Sequence, residues 1–247
     1  MPIGELLIPY FEYSGKRIFY QVKNNESPRA LIFIHGSGGN SDIWKDQLNL
    51  NVNYNLYTLD LPSHSKSDEF SEHSLELYVD VLRKFIEHLD LKDVILGGHS
   101  LGGAVIQSYY FKYPNDVTAL LLIGTGGRLR VLPSTLVTVK NNFPKFIEDM
   151  NDDRKNEFLK TPGNVCYDDF KICDGFDILD KTDLINIPCL ILVGKEDEMT
   201  PVKYSEFFHK KIENSELVII DNAGHLVMMD QPKKLNEAIE NYINNYL

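Results

Sequence analysis

Cysteine is scarce in this sequence, which has only Cys166, Cys173 and Cys189 among 247 residues. The three are odd in number and show no C-x-x-C spacing, which argues against a disulfide framework and against a zinc site. We therefore expect reduced, buried thiols and no bound metal. Internal repeats and low-complexity tracts are also missing, so a repeat architecture is not indicated.

Long apolar runs are absent as well, and the amino terminus, MPIGELLIPYFEYSGKRIFY, shows no basic segment followed by a hydrophobic stretch. Positive charge is in deficit: 25 lysines and arginines face 36 aspartates and glutamates, for a formal charge of −11. This balance argues against nucleic acid or an anionic membrane as the main partner. We expect a cytoplasmic protein with a small-molecule substrate, and the sequence does not indicate its oligomeric state.

What the sequence does contain is an alternation of short apolar runs with helical patterns. Uninterrupted apolar runs predict strands buried on both faces, and helices between them predict a mostly parallel sheet in one α/β domain. The apolar runs lie at Ala30–Ile34, Tyr54–Leu59, Val94–Leu96, Ala119–Ile123, Cys189–Val193 and Leu217–Ile220. The helical patterns lie at Leu75–Leu89, Leu101–Tyr113, Val202–Ile212 and Pro232–Tyr246. An opening hairpin of Leu6–Tyr13 and Arg17–Lys23 completes a predicted sheet of eight strands.

The alternation is interrupted between residues 126 and 187, which we call the inserted segment. Its sequence predicts helices at Pro133–Lys140, Pro144–Met150 and Asp152–Leu159, and no strand. We therefore predict a core of residues 1–125 and 188–247 with a helical cap of residues 126–187. Five phenylalanines are spread through the cap. Most are expected to pack it onto the core, and Phe143 and Phe146 are our candidates for lining an apolar substrate pocket.

The candidate nucleophile is Ser100, in the stretch VILGGHSLGGAV that starts at Val94. An apolar strand pattern ends and a helical pattern begins within a few residues of Ser100, so the chain must turn sharply there. The residues from Gly98 to Gly102 match G-x-S-x-G, in which such a turn presents a serine hydroxyl. The motif alone can occur by chance, so its assignment depends on partners elsewhere in the chain.

A serine hydroxyl needs a base, and the base needs a group that orients it. Asp197 and His225 each follow a predicted strand, on the side of the sheet where Ser100 would project. Neighbouring carboxylates compete with Asp197 for the orienting role, and position favours Asp197. The competitors are Glu196, Glu198 and Asp221.

The reaction also needs donors for an oxyanion. The backbone N–H of Leu101 follows the nucleophile at a helix start, and that of Ser37 lies in the loop HGSGGN after the first central strand. This glycine-rich loop could instead hold a phosphate, but neither G-x-G-x-x-G nor a G-K-[ST] ending is present. We expect His35 to brace the loop.

Over nearly its whole length, the chain resembles the α/β-hydrolase-fold serine hydrolases, through HGSGG, DLPSHSKSD, GGHSLGG, LVGKEDEMTP and AGHLVMMDQP. The order serine, aspartate, histidine is that of the family. Relatives commonly read D-L-P-G-H-G-x-S, whereas this chain has Ser63 and Ser65 in place of both glycines. We therefore expect a less sharply turned loop around His64, a residue that we expect to be structural.

These residues predict a carboxylic-ester hydrolase that works through an acyl-enzyme, without a metal or organic cofactor. The resemblance implies that other reactions of the fold stay open: cleavage of thioesters, lactones or the carbon–carbon bond of diketones. A non-catalytic receptor for a small molecule is the alternative of another class. The fold and the catalytic residues do not separate these functions.

Overall fold

The computed structural model of the chain describes residues 9–148, 150 and 152–247. Within them, eight strands form one sheet. In chain order they are β1 (Tyr10–Tyr13), β2 (Lys16–Lys23), β3 (Arg29–Ile34), β4 (Asn55–Leu59), β5 (Lys92–His99), β6 (Val117–Ile123), β7 (Cys189–Gly194) and β8 (Ser215–Ile220). Residues 6–8 of the predicted first strand lie outside the described residues.

The spatial order of the strands is β1-β2-β4-β3-β5-β6-β7-β8. Strand β2 is antiparallel to both of its neighbours, and every other pair is parallel. The predicted mostly parallel, eight-stranded sheet is therefore confirmed. Since the loops after β3, β5, β7 and β8 leave the same edge of a parallel sheet, groups far apart in sequence meet there.

Apolar side chains alternate between two core clusters, one on each face of the sheet. In β3, Ala30, Ile32 and Ile34 belong to one cluster, and Leu31 and Phe33 to the other. All five are buried, as the uninterrupted apolar run predicts.

Strand β8 departs from that prediction. It lies at the edge of the sheet and is mostly half-buried, and Ile219 is 42% exposed. An edge strand has a neighbour on one side only, so the burial expected of its apolar run is incomplete.

Helices cover both faces. The helices of the described residues are α1 (Leu75–His88), α2 (Leu101–Lys112), α3 (Pro133–Asn141), α4 (Phe143–Glu148), α5 (Asp152–Phe158), α6 (Gly163–Gly175), α7 (Val202–Lys211), α8 (Val227–Asp230) and α9 (Pro232–Tyr246). Side chains of α1, α2 and α7 enter one core cluster, and those of α8 and α9 enter the other. In this part of the chain, no helix combines the length and apolar character needed to cross a bilayer.

Helices α3 to α6 all lie in the inserted segment, between β6 and β7. The sequence did not predict α6, which begins after Pro162 and whose apolar pattern is weak. The division into core and cap at residues 126 and 187 stays a prediction. The cysteines are unpaired and buried, two of them on α6, and burial raises the pKa of each thiol.

The loop around His64 corrects one expectation. Ser63 and Ser65 have φ of 65° and 45°, the left-handed conformation that glycine adopts readily. The serines therefore keep the sharp turn that the sequence was expected to relax. The Ser63 hydroxyl accepts the N–H of Phe70 at 2.7 Å, and the Asp60 carboxylate accepts that of Lys66 at 3.0 Å, which helps to hold the turn.

Candidate active site

Ser100 stands between the end of β5 and the start of α2, with φ of 52° and ψ of −115°. Positive φ is strained for a residue with a side chain, so the surroundings must hold this turn. The Ser100 N–H donates to the Ile123 carbonyl at 3.1 Å, and the Thr125 hydroxyl donates to the Ser100 carbonyl at 2.8 Å. A side chain at Gly98 would overlap the backbone of Gly102. The turn leaves Ser100 half-buried on the wall of a cavity.

Asp197 and His225 meet because they follow the neighbouring strands β7 and β8. His225 Nδ1 lies 2.9 Å from Asp197 Oδ2, and the Asp197 side chain is fully buried. The carboxylate also accepts the backbone N–H groups of Met199 and Thr200, both at 2.9 Å, and the Thr200 hydroxyl at 2.8 Å. Because the Nδ1 proton is directed to the carboxylate, Nε2 is the nitrogen that can accept a proton.

The electrostatics of this pair suit an ionised carboxylate. Burial alone would raise the pKa of Asp197, but the hydrogen bond and the charge of His225, with the hydrogen bonds from Thr200, outweigh it and hold the pKa below its ordinary value. Asp197 is therefore an anion at neutral pH, able to stabilise a protonated His225 ring.

The competing carboxylates are used elsewhere or exposed. Glu196 accepts the N–H of Ala223 at 2.8 Å and so supports the loop that carries His225. Asp221 pairs with Lys195 at 2.7 Å on the surface, and Glu198 is exposed. Of these acidic groups, the structure brings Asp197 to the histidine.

The glycine-rich loop after β3 passes directly beside Ser100. A Cβ built on Gly36 would lie 3.1 Å from the Cβ of Ser100, and Ser37 lines the same cavity. Leu101 is the first residue of α2, where backbone N–H groups have no partner within the helix and the helix dipole favours negative charge. The two predicted oxyanion donors therefore belong to two chain segments that meet at Ser100.

Three buried histidines surround the site without belonging to the predicted catalytic group. His35 Nε2 accepts the Leu61 N–H at 3.0 Å, and burial lowers the His35 pKa to about 3, so its ring is neutral and braces the loop. His99 donates from Nε2 to the His225 carbonyl at 2.9 Å. His64 is fully buried outside the cavity.

The cavity over Ser100 has a volume of about 250 Å³ and mostly apolar walls. The core and the inserted segment both contribute to it. Its lining from the core is Gly36, Ser37, Gly39, Ile43, His99, Ser100, Met199, His225 and Leu226, and from the inserted segment Thr135, Phe146, Met150, Arg154, Glu157, Phe158 and Phe170.

The two phenylalanines chosen from the sequence differ in position. Phe146 lines the cavity, with its ring centroid 5.5 Å from that of Phe170. The structure does not bring Phe143 to the cavity: its ring packs beside Phe146 and against Gly163. Phe143 therefore supports the ring that faces the cavity.

Sequence reasoning assigned no role to several residues that the structure places at the site. His99 lies within the serine motif itself, and Thr200 lies three residues after Asp197, so their sequence positions indicate that both lie near the site. Arg154 and Glu157 add charge to the cavity wall, and no sequence signal separates them from other surface charges. Among the described residues, no cluster of three or more histidine, cysteine or acidic side chains could hold a metal ion.

Comparison with known proteins defines the class. The model of the alpha/beta hydrolase family matches residues 31–238, and the chain belongs to that family. Its fold is the α/β-hydrolase fold, as predicted from the sequence.

Individual proteins similar to this chain include an esterase, a lipase and an uncharacterized hydrolase. A solved structure of a thermophilic esterase has 34% sequence identity and a TM-score of 0.85, with 96% of each chain covered. Monoacylglycerol lipase ABHD6 of Rattus norvegicus is 25% identical over 275 residues, covering 96% of this chain and 82% of the relative. The uncharacterized hydrolase YugF of Bacillus subtilis is 24% identical, covering 94% and 96%. The chain is therefore similar to hydrolases over nearly its full length.

Proposed function

We propose that the protein hydrolyses carboxylic esters of small to medium, fairly apolar substrates through an acyl-enzyme. The observation that carries this proposal is the His225–Asp197 contact at 2.9 Å on the cavity that Ser100 lines. A hydroxyl on a strained turn, a histidine with one nitrogen committed to a carboxylate, and an apolar cavity are the parts that ester cleavage requires.

In the proposed reaction, His225 Nε2 takes the proton of Ser100 as the serine oxygen attacks the acyl carbon. Asp197 keeps the imidazole oriented and stabilises the imidazolium that forms. The ester carbonyl oxygen becomes an anion, which the N–H groups of Ser37 and Leu101 stabilise. The imidazolium then gives its proton to the departing alcohol, and Ser100 retains the acyl group.

The second half of the reaction repeats these steps with water. His225 takes a proton from a water molecule, whose oxygen attacks the acyl-enzyme, and the same donors stabilise the second oxyanion. Collapse of this intermediate returns the proton to Ser100 and releases the carboxylic acid. Every step uses water and groups of this chain.

The cavity supports the substrate class. Its volume of about 250 Å³ lies just below the roughly 300–1,000 Å³ of drug-sized ligand pockets, which favours a compact substrate. Apolar walls formed by Phe146, Phe158 and Phe170 suit an acyl chain or an aryl group. The similarity to the thermophilic esterase also supports ester hydrolysis. We propose a cytoplasmic location on the sequence alone.

Two measurements on the purified protein test the proposal. Hydrolysis of p-nitrophenyl esters from acetate upward measures turnover, and a fluorophosphonate probe with peptide mapping identifies the reactive serine. We expect turnover and labelling at Ser100, with both lost in Ser100→Ala. Labelling of another serine in the folded protein would overturn the assignment.

The same measurements distinguish the alternatives. A thioesterase or lactonase would label at Ser100 but favour its own substrates over aryl esters, and a diketone hydrolase would cleave a carbon–carbon bond. A receptor would show no turnover and no labelling, while a bound ligand would raise its melting temperature.

A further inference from the structure

Asp169, on α6 of the inserted segment, is fully buried beneath the glycine-rich loop that carries Ser37. Its Oδ2 accepts the Gly38 N–H at 2.9 Å and the His64 Nε2–H at 2.8 Å, and its Oδ1 accepts the Tyr78 hydroxyl at 2.7 Å. These donors belong to three separate parts of the core. One carboxylate of the inserted segment therefore joins the loop after β3, the loop after β4 and helix α1.

The partners show that this carboxylate is ionised. His64 Nδ1 lies 2.9 Å from the Pro62 carbonyl, which can only accept, so Nδ1 carries a proton, while Nε2 faces Asp169. Burial opposes both charges, but their attraction and hydrogen bonds prevail: the pKa of Asp169 is lowered and that of His64 is raised. Apolar side chains of similar volume often stabilise a core as well as a buried ion pair does. The position of the His64–Asp169 pair beneath the loop therefore points to a role besides stability.

The loop has two possible turn geometries, and Asp169 favours one of them. The Gly39 N–H donates to the Gly36 carbonyl at 3.1 Å, and Gly38 has φ of 65°, as a type II turn requires at its third residue. In a type I turn the peptide between Ser37 and Gly38 is reversed. That reversal would remove the Gly38 N–H from Asp169 and turn the Ser37 carbonyl oxygen toward the carboxylate. The Ser37 N–H belongs to the preceding peptide, so Asp169 acts on that donor by fixing where the turn lies.

The inserted segment contacts four consecutive residues of this loop. Besides Asp169 at Gly38, Cys173 Sγ lies 3.4 Å from Ser37 Oγ, and Thr161 Oγ1 donates to the Gly39 carbonyl at 3.4 Å. The next contact joins Asn40 Nδ2 to Glu157 Oε2 at 2.6 Å. The loop that carries the proposed oxyanion donor is therefore held from the inserted segment along its length.

We propose that Asp169 is a positioning residue that sets the turn carrying the Ser37 N–H, so that the oxyanion hole is complete only when the inserted segment is seated on the core. This inference rests on the proposed ester hydrolysis. Asp169 acts through the loop, since it does not line the cavity.

The test compares Asp169→Asn with Asp168→Asn, a matched change on the neighbouring residue of α6. Asp168 contacts His73 at 3.0 Å and Lys171 at 3.9 Å, and neither contact belongs to the loop. With p-nitrophenyl acetate we expect Asp169→Asn to lower kcat about 10- to 100-fold, since small misplacement of catalytic groups has effects of this size. KM should change less than about 3-fold, because the interaction acts on the transition state. Asp168→Asn should stay within about 3-fold of wild type in kcat.

A trifluoromethyl ketone supplies a readout that lowered stability would not move. Its adduct with Ser100 places an anionic oxygen in the proposed hole, so its inhibition constant should weaken in Asp169→Asn by a factor similar to the loss of kcat. Melting temperatures keep both assays below unfolding. If Asp169→Asn does not fold, Tyr78→Phe removes one donor to the carboxylate and should lower kcat about 3- to 10-fold with the same effect on the ketone.

The outcomes separate the two proposals. Wild-type kcat and unchanged ketone inhibition in Asp169→Asn, or in Tyr78→Phe where that variant takes its place, would overturn the positioning role while leaving ester hydrolysis intact. Equal losses in Asp168→Asn would also overturn it. A wild-type protein that neither turns over esters nor labels at Ser100 would overturn the proposed function itself.

Discussion

Ser63, His73 and Asp168 form a hydrogen-bonded chain of the same residue types as Ser100, His225 and Asp197. His73 Nε2 lies 2.9 Å from Ser63 Oγ, and His73 Nδ1 lies 3.0 Å from Asp168 Oδ2. Both serines have positive φ, 65° at Ser63 and 52° at Ser100. By residue type and by the contact between histidine and aspartate alone, the two groups could be confused.

What differs is access to the hydroxyl. Ser63 is buried, its oxygen accepts the Phe70 N–H at 2.7 Å, and it does not line the surface cleft beside His73. Ser100 lies on the cavity wall, between a helix start and the glycine-rich loop. The comparison teaches that a serine, a histidine and an aspartate suffice for a structural link, whereas catalysis also needs room for substrate and donors for an oxyanion.

The largest expected contrast is between the two serines. Ser100→Ala should lower kcat for p-nitrophenyl acetate at least about 10⁴-fold, because no nucleophile remains. Ser63→Ala should keep kcat within about 3-fold, while losing about 1–3 kcal/mol of unfolding free energy as the Phe70 N–H is left without its acceptor. Steady-state kinetics and urea denaturation measure both. A loss of activity in Ser63→Ala without a loss of stability would contradict this contrast.

The two aspartates give the next contrast. Asp197→Asn should lower kcat roughly 10³- to 10⁴-fold with little change in KM, since it removes stabilisation of the imidazolium formed in the transition state. Asp168→Asn supplies the matched change in the other group and should retain most activity. Near-wild-type kinetics in Asp197→Asn, with Glu198→Gln inactive, would show that the wrong carboxylate had been chosen.

A smaller effect is expected at the cavity wall. Each methylene that fits should improve kcat/KM by up to about 0.8 kcal/mol, close to four-fold, until the cavity is full. Phe146→Ala should move the optimum toward longer p-nitrophenyl esters. Phe143→Ala should lower the melting temperature and leave the optimum in place. If kcat/KM depends on ester chain length in the same way in wild type and in Phe146→Ala, Phe146 does not line the substrate pocket.

The smallest expected effect is the pH dependence of the stability that the buried His64–Asp169 pair contributes. The raised pKa of His64 means that its contribution to stability is complete below its unfolded value of 6.5 and is lost as pH rises through the folded value. The lowered pKa of Asp169 gives a contribution present above 3.8 and lost as pH falls through the folded value. The free energy of unfolding of wild type minus that of Asp169→Asn should therefore be largest between pH 3.8 and 6.5.

Urea denaturation at several pH values checks this window. The wild-type advantage should shrink above pH 6.5 with a slope of at most about 1.4 kcal/mol per pH unit. A difference that is constant from pH 5 to 9 would contradict the ionised His64–Asp169 pair.

The sequence predicted the sheet and the approach of Asp197 to His225 for a common reason. Apolar runs report burial directly, and the carboxyl ends of parallel strands share one edge. The sequence did not predict α6, because the apolar spacing of that helix is irregular. The contacts that Asp168 and Asp169 make from α6 were therefore not predicted either. These depend on how the inserted segment packs onto the core, which no local pattern specifies.

The same limit explains two smaller differences between what the sequence led us to expect and what the structure contains. Ser63 was expected to relax a turn because serine resists positive φ, but hydrogen bonds to His73 and Phe70 hold it there. Phe143 and Phe146 are the same residue type only three positions apart, so the sequence does not distinguish them. The packing of α4 decides which of the two rings faces the cavity.

The position of β8 has a consequence for how the chain acquires its proposed chemistry during folding. Ser100 lies in the first half of the chain, but His225 follows β8, the last strand, which joins the sheet only by pairing with β7. Contacts between residues this far apart in sequence form slowly, because a long loop must close first. The groups that hold the serine turn, the Ile123 carbonyl and the Thr125 hydroxyl, lie far ahead of the proposed base in the chain. The proposed hydrolysis therefore cannot begin on the growing polypeptide before β8 pairs with β7.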